Sequence, residues 1–446
     1  MKLSRPKVLA LILAGGQGGR LEVLTEKRAK PVLPFAGTYR LIDFALSNCM
    51  HSHISDVWVI EQYQPHSLNE HLSNGRPWDL DRTYGGLQVL PPYTGRDDGE
   101  GGFAEGNADA IYRHKEFLRE FDPDILLVLS ADHVYKLDYG EVIACHQEIQ
   151  ADVTMVTTRV PLADARRFGT VKVDPQGRIT DFAYKPERPE SDIVTTEVFV
   201  YDARKLLDTL DELADEGGSA SESGGDKQNG SSLKDFGHEL LPRMVQRSQA
   251  HDFPLEGYWK DVGTIESYWE AHMELLGSEP PLMLDDPAWP ILTVGAQRMP
   301  ARIHESANVV NSLISPGCVI YGEIINSILA PGVVVEQGAV VRDSILLHEA
   351  RVGSGAQVHT AVLDAKTQVD ETAVVGSRGK LPKGRSLIQR SAEELVLIGM
   401  EARISAGALV PPGTRVKPGA VKRKTQKPTK IKQPGQPRPK TKAAAR

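Results

Sequence analysis

Short apolar runs punctuate the first half of the chain at Val8–Ala14, Val57–Ile60, Ile125–Leu129 and Val153–Val160, separated by stretches in which apolar and polar residues mix. Runs of this length, bounded by turn residues, read as buried strands. Their alternation with amphipathic segments predicts an α/β fold, Rossmann-like, with a mixed, mostly parallel sheet covered by helices on both faces. Tyr39–Asn48 and Ala108–Phe121 read as two of those helices. In such a sheet ligands lie beyond the carboxyl ends of the strands.

The second half has a different period. Leu329, Val335 and Val341, then Leu346, Val352 and Val358, then Leu363, Val369 and Val375 recur every six positions, each triplet starting seventeen residues after the last. Hexad spacing with three short strands per turn predicts a left-handed parallel β-helix, whose coils stack one inward aliphatic on another. An antiparallel meander would need period-two alternation, which the region shows poorly. The expected organisation is an α/β domain over 1–278, a linker over 279–300 opening with the Pro-rich stretch Glu279–Pro290, the β-helix over 301–420, and a disordered basic tail over 421–446. Residues 211–233, rich in Gly, Ser and charge, read as a mobile surface insertion.

Composition adds little to this and charge adds one point. The 446 residues, 40 % hydrophobic and 25 % charged, suit two or three ordinary globular domains. Residues 422–446 carry ten Lys or Arg and no acid, so the net charge of −7 conceals −17 on the rest of the chain. Such a tail cannot bury enough apolar surface to fold, and nucleic acid is expected to meet the protein only nonspecifically through it. The Val8–Ala14 run is too brief for a signal peptide or a membrane span. Cys49, Cys145 and Cys318 are odd in number and widely spaced, which argues against a disulfide framework or a zinc site and suits a cytoplasmic enzyme.

Candidate chemistry begins at Leu11–Pro34, LILAGGQGGRLEVLTEKRAKPVLP. Gly15, Gly16, Gly18 and Gly19 remove side chains so that backbone N–H groups can approach phosphate oxygens, while Arg20 and Lys30 supply cationic donors. The spacing matches neither GxxxxGK[ST] nor the full dinucleotide fingerprint.

GGxGxRL and KRAKP are followed in unbroken order by YRLIDFALSNC (39–49), QYQPHSLNEHL (62–72), GNADAI (106–111), LSADHVYKLDY (129–139), FGTVKVD (168–174), DFGHELLP (235–242) and YWKDVGTIESYWEAHMELL (258–276). This series resembles the glucose-1-phosphate adenylyltransferase family of sugar nucleotidyltransferases over roughly residues 7–376. The resemblance implies attack by the phosphate of glucose 1-phosphate on the α-phosphorus of ATP, with release of pyrophosphate, in glycogen or α-glucan synthesis. Positioning and charge neutralisation would do most of the work, and the attacking phosphate, already ionised, needs no general base.

The resemblance also distributes roles. It assigns Arg20, Lys30 and Asp132 to catalysis, Asp132 and Asp261 to Mg²⁺, and Leu13, Ala14, Gly15, Gly16, Gly18, Gly19, Gln62, Gly106, Asn107 and Asp109 to the nucleotide. Gly169, Tyr184, Lys185 and Thr195 would hold the sugar phosphate. Lys27, Arg28 and Arg40 fall where the family binds a sugar-phosphate effector, although Pro34 stands near a position that is often histidine. A homotetramer is implied as well, in keeping with β-helix ends that need covering. His133, a single histidine without partners at ligand spacing, reads as structural.

Departures from the family pattern cluster on the sugar side. Phe103, Ala104 and Glu105 precede Gly106 where a tyrosine is usual, and Asn107 replaces threonine. EKP becomes Tyr184, Lys185, Pro186; SxGxY becomes Thr195, Thr196, Glu197, Val198, Phe199, with an acid in place of glycine; the small residue of GDH is Ala131. An unsatisfied sugar hydroxyl costs about 1–3 kcal/mol, enough to change which hexose is preferred. Another sugar 1-phosphate or triphosphate, or a catalytically weak regulatory subunit, therefore stands as the alternative.

Overall fold

A computed structural model describes residues 6–92, 104, 106–222, 236–377 and 388–424. Phe103, Glu105, residues 223–233 of the expected insertion and residues 425–446 of the expected tail lie outside the described residues.

The Val8–Ala14 strand sits inside a nine-stranded sheet, paired in parallel with Asp56–Glu61 on one side and Ile125–Ser130 on the other. Leu9 and Leu11 enter the core on one face of the sheet, and Ala10 and Ile12 enter the core on the other. That is why the run is apolar without alternation: both faces are covered. Gly86–Leu90 extends the parallel half beyond Asp56–Glu61, while Ile193–Asp202 pairs antiparallel with Ile125–Ser130 and leads to Gly169–Val173 and Ile179–Tyr184. The sheet is thus mixed, parallel where the glycine loop leaves it and antiparallel on the other flank.

Two helices differ from expectation. The first runs Leu41–His51, because Tyr39–Arg40 pair with Pro34–Phe35 as a short antiparallel ribbon. The second divides into Asn107–Arg113 and Lys115–Phe121 at His114. The expected insertion is helical over its first part: Ala203–Glu222 is one helix, docked through the buried side chains Leu206, Leu207, Leu210 and Leu213. Their i, i+4, i+7 spacing outweighs the glycines that follow.

Residues 279–300 contain no regular element, yet they are tied down. The Trp289 indole donates to Asn48 Oδ1 at 2.9 Å, and the Leu292 N–H donates to Ser47 Oγ at 2.9 Å. Beyond them the hexad residues stack as expected: Leu329 on Leu346 on Leu363, Val335 on Val352 on Val369, and Val341 on Val358 on Val375, all in parallel register. A further coil follows an insertion, with Ile398, Ile404 and Val410 in line. Hexapeptide-type coils in parallel register are consistent with a left-handed β-helix. Its last strand, Val421–Lys422, pairs with Arg403–Ile404, so ordered structure enters the segment expected to be tail.

An apolar seam joins the two regions, bringing Phe35, Leu41, Phe44, Ile265 and Trp269 against Ile345, Leu347, Val362 and Leu397. One buried ion pair crosses it, Arg28 Nη2 to Asp364 Oδ1 at 2.7 Å.

Candidate active site

The loop after Val8–Ala14 turns through Gly18 at φ 69°, a left-handed conformation that glycine adopts without strain. A Cβ there would press on Thr25 and Lys30 at 3.1–3.2 Å, so the loop lies tightly over the KRAKP segment. Leu13, Gly15, Gly16 and Gln62 line one small cavity with Gly106 and Asn107, of about 170 Å³. The sheet order creates this meeting: Ala14 and Glu61 are register partners, and Asn107 opens its helix beside them. A ligand pocket typically measures about 300–1,000 Å³, so the cavity suits part of a nucleotide. Ala14, Gly18, Gly19 and Asp109 do not line it; Asp109 is buried and bridged to Arg113 Nε at 2.9 Å, a structural pairing one helical turn apart.

Beyond the neighbouring strand ends lies a charged cluster. Ser130 ends the Ile125–Ser130 strand and its hydroxyl donates to Asp132 Oδ1 at 2.5 Å. Lys30, buried in a one-turn helix, places Nζ on Asp132 Oδ2. Burial alone would push the Asp132 carboxyl up, but Lys30 and His133 hold it well below the usual carboxylate range. Lys30 is likewise opposed by burial, and Asp132 and Asp261 raise its ammonium above the ordinary lysine value.

Asp261 arrives by strand pairing. Trp259–Asp261 runs antiparallel to His133–Tyr135, with Asp261 opposite His133. Arg20 reaches the same place: a Cβ on Gly263 would lie 2.9 Å from Asp261 Oδ2 and 3.4 Å from Arg20 Nη2. Arg167 Nη2 stands 3.7 Å from Asp261 Oδ2. His133, read as structural from the sequence, has both roles available. Its Nδ1 meets the Thr196 carbonyl at 2.9 Å, while Nε2 faces Asp132 and Asp261 at 3.7 Å and Glu197 at 3.9 Å. Arg167 and Glu197 were not among the sequence candidates; Glu197 was visible only as an acid at a glycine position.

The sugar-side candidates also converge. Tyr184 is the register partner of Gly169, and a Cβ on Gly169 would meet Thr195 Oγ1 at 3.1 Å. Thr195 is buried, so its hydroxyl lies beneath this region rather than open to it. Lys185 is exposed and turned back, with Nζ donating to the Tyr184 hydroxyl at 2.5 Å. The Tyr184 ring covers Gly237 so closely that a Cβ there would sit 1.9 Å from Cδ2.

Lys27, Arg28 and Arg40 line a separate cavity of about 710 Å³ between the α/β region and the β-helix. His66, His71, Arg298 and His348 line it too. Arg40 Nη2 lies 3.3 Å from His348 Nε2, and burial, with Arg40, Arg28 and Arg298, pushes His348 down to about 3. The sequence offered no sign of Arg298 and His348, which come from the linker and the coils.

A glycine turn facing a lysine-bound aspartate at the ends of adjacent parallel strands, followed by stacked hexads, defines a nucleotidyltransferase with a hexapeptide-repeat domain. The nucleotidyl transferase family model matches residues 9–278, and a GlmU-like C-terminal hexapeptide model matches 295–398. Three similar proteins are each called glucose-1-phosphate adenylyltransferase. That of Thermomicrobium roseum is 42 % identical over 92 % of this chain and 98 % of its own length. Those of Fervidobacterium nodosum, 40 % identical over 83 % and 85 %, and of Thermotoga neapolitana, 43 % over 75 % and 76 %, agree. The chain belongs to the glucose-1-phosphate adenylyltransferase family.

Proposed function

We propose that the chain transfers the adenylyl group of ATP to α-D-glucose 1-phosphate, giving ADP-glucose and pyrophosphate for glycogen or other α-glucan synthesis. The observation that carries this reading is the convergence of Arg20, Lys30, Asp132 and Asp261 on one point beside the glycine loop. Two mutually repelling anions must meet there, so oriented cations and backbone N–H groups lower the barrier by offsetting charge as it develops.

Asp132 and Asp261, two carboxylates flanking the buried His133, form a donor set that fits a divalent cation. They would hold Mg²⁺, whose charge would reduce the repulsion between the phosphates. Arg20 would neutralise the departing pyrophosphate, Lys30 the charge near the α-phosphate, and Lys185, swung from Tyr184, the phosphate of the sugar. The small cavity of Gly15, Gly16, Gln62, Gly106 and Asn107 would take part of the nucleotide. A pyrophosphate-release assay with Mg²⁺, four nucleoside triphosphates and a panel of sugar 1-phosphates tests the reading. Best turnover with ATP and glucose 1-phosphate supports it; none with any pair refutes it.

A different hexose 1-phosphate is the second reading, favoured by Tyr184 and Glu197, which stand where the family has a carboxylate and a glycine. The cationic cavity of Lys27, Arg28, Arg40, Arg298 and His348 supports regulation by a sugar phosphate. We place the protein in the cytoplasm as a homotetramer; no helix among the described residues is long and apolar enough to cross a membrane.

A further inference from the structure

One arginine of the β-helix reaches the glycine-rich loop. Arg415, in the strand Arg415–Val416, is the register partner of Leu397, and its Nε donates to Glu22 Oε2 at 2.5 Å across 393 positions. Glu22 lies two residues beyond Arg20, in the segment Gly19–Leu24. That segment is seated on the β-helix: Leu21, Val23 and Leu24 are buried in the apolar seam that also holds Leu395 and Leu397.

Glu22 carries strain. Its φ of 49° and ψ of −127° lie where glycine is at ease and a Cβ is crowded. Such a conformation persists where the surroundings impose it, commonly at functional sites. Here the neighbours Leu21 and Val23 are buried, the Glu22 carbonyl accepts from the Thr25 N–H at 3.2 Å, and the carboxylate is held by Arg415. The Thr25 hydroxyl lies 2.9 Å from the Gly18 carbonyl, so the turn at Glu22 and the glycine turn move as one unit. Arg20 is exposed, and its aim at the Asp261 turn depends on the backbone that carries it.

The same guanidinium supports the other arm of the site. Nη2 donates to the Ala392 carbonyl at 2.9 Å, and Nη1 to the carbonyls of Leu395 at 2.7 Å and Gly413 at 3.2 Å. The Ala392 N–H donates to Glu266 Oε1 at 3.1 Å, in the first turn of the helix Ile265–Glu274 that follows Asp261 and Gly263. A partly exposed ion pair alone contributes little, but three carbonyls fix this planar fork before it meets Glu22.

We propose that Arg415 is a positioning residue for nucleotidyl transfer: by holding Glu22 in its left-handed turn it fixes the loop that aims Arg20, so the β-helix forms part of the support of the phosphate site. The effect on turnover rests on the transferase reading above; the aiming of Arg20 does not. Docking of the two regions would be served equally by a carboxylate in a relaxed turn. Displacing a reacting group by about 1 Å can cost on the order of a hundredfold in rate, so release of this turn is felt at the chemistry.

Glu22→Ala and Glu22→Gly provide the test, since both lack the carboxylate and differ in the cost of the left-handed turn. Each full-length variant, and Arg415→Met, is assayed below its melting temperature for pyrophosphate release with ATP and glucose 1-phosphate, and for pyrophosphate binding by isothermal titration calorimetry with Mg²⁺. Glu22→Ala and Arg415→Met should each lower kcat and weaken pyrophosphate binding about tenfold, with KM for glucose 1-phosphate within about twofold. Combining the two should cost no more than either, because they act through one contact. Glu22→Gly should recover most of the loss, to within about twofold of the parent. Unchanged kcat and pyrophosphate binding in Arg415→Met, with only a lower melting temperature, reduce the contact to docking and overturn the proposal. Equal losses in Glu22→Ala and Glu22→Gly overturn it too, because the charge and not the turn would then matter. A parent that releases no pyrophosphate sinks the transferase reading, while weaker pyrophosphate binding by Glu22→Ala than by Glu22→Gly leaves the positioning role standing.

Discussion

The residues proposed for the phosphates and those proposed for the sugar are held on different terms. On the phosphate side Lys30 is buried, and Asp132 and Asp261 are only 20 % and 16 % exposed, held by one-turn helices and paired three-residue strands. Among the residues proposed for the acceptor, Lys185 is exposed, Glu197 is 44 % exposed, and both hold left-handed backbone angles. Neutralising phosphate requires charges fixed in a poorly solvated place, because a charge free to relax into water does less. Recognition of one hexose requires only a few side chains of suitable reach, and those can change without disturbing the core. The departures from the family pattern at Tyr184, Thr195 and Glu197 fall in this second group.

The comparison breaks first at Asp132. Asp132→Asn should lower kcat by about a thousandfold or more, ~4 kcal/mol, in a protein still folded at the assay temperature by circular dichroism but with a lower melting temperature, because buried Lys30 loses its partner; a steady-state assay showing full activity removes the distinction between the two groups. Acid should instead disable both groups together through the scaffold. His272 accepts from the Ala36 N–H through Nε2 and meets the Tyr268 carbonyl through Nδ1, and burial pushes it down to about 4. Because this folded value lies below the unfolded one, the neutral ring stabilises the fold above about pH 6.5. That contribution, at most roughly 3 kcal/mol, is lost as pH falls from 6.5 towards 4. Thermal melts across this window should fall, and the fall should be smaller in a stable His272→Gln protein; identical slopes would refute the assignment.

Smaller effects separate the groups more finely. Lys185→Gln should raise KM for the sugar 1-phosphate about 10- to 100-fold, the ~1.5–3 kcal/mol of a charged hydrogen bond, and leave KM for ATP within about twofold. Equal changes in both constants would contradict a dedicated acceptor role. Tyr184→Glu, which restores the carboxylate usual in the family, should shift the ratio of kcat/KM between two hexose 1-phosphates by about tenfold. An unchanged ratio would exclude this position from acceptor choice.

Much of the architecture was legible because it depends on one residue at a time. A buried strand declares itself by an unbroken apolar run, and a β-helix coil by an aliphatic every sixth position, since each such residue must face a core. Helix limits were less legible: the ribbon of Tyr39–Arg40 and the break at His114 depend on neighbours outside the segment. The Gly and Ser residues near 217–222 hid a helix whose anchor is four leucines upstream. The glycine loop could be read because close backbone approach demands a residue type, whereas Asp132, Lys185 and Asp261 had meaning only within a resemblance.

The amino-acid order alone determined which segments are strands or coils, where phosphate could approach the backbone, and that cation and carboxylate chemistry was present. Tertiary structure alone decided the partners: Lys30 on Asp132 across 102 positions, Arg28 on Asp364 across 336, and Glu197 beside His133 through a bulge. Such pairings follow from the order of strands in a sheet and the docking of one region on another. No local period encodes them, because the free energy that selects them is shared among contacts distant along the chain.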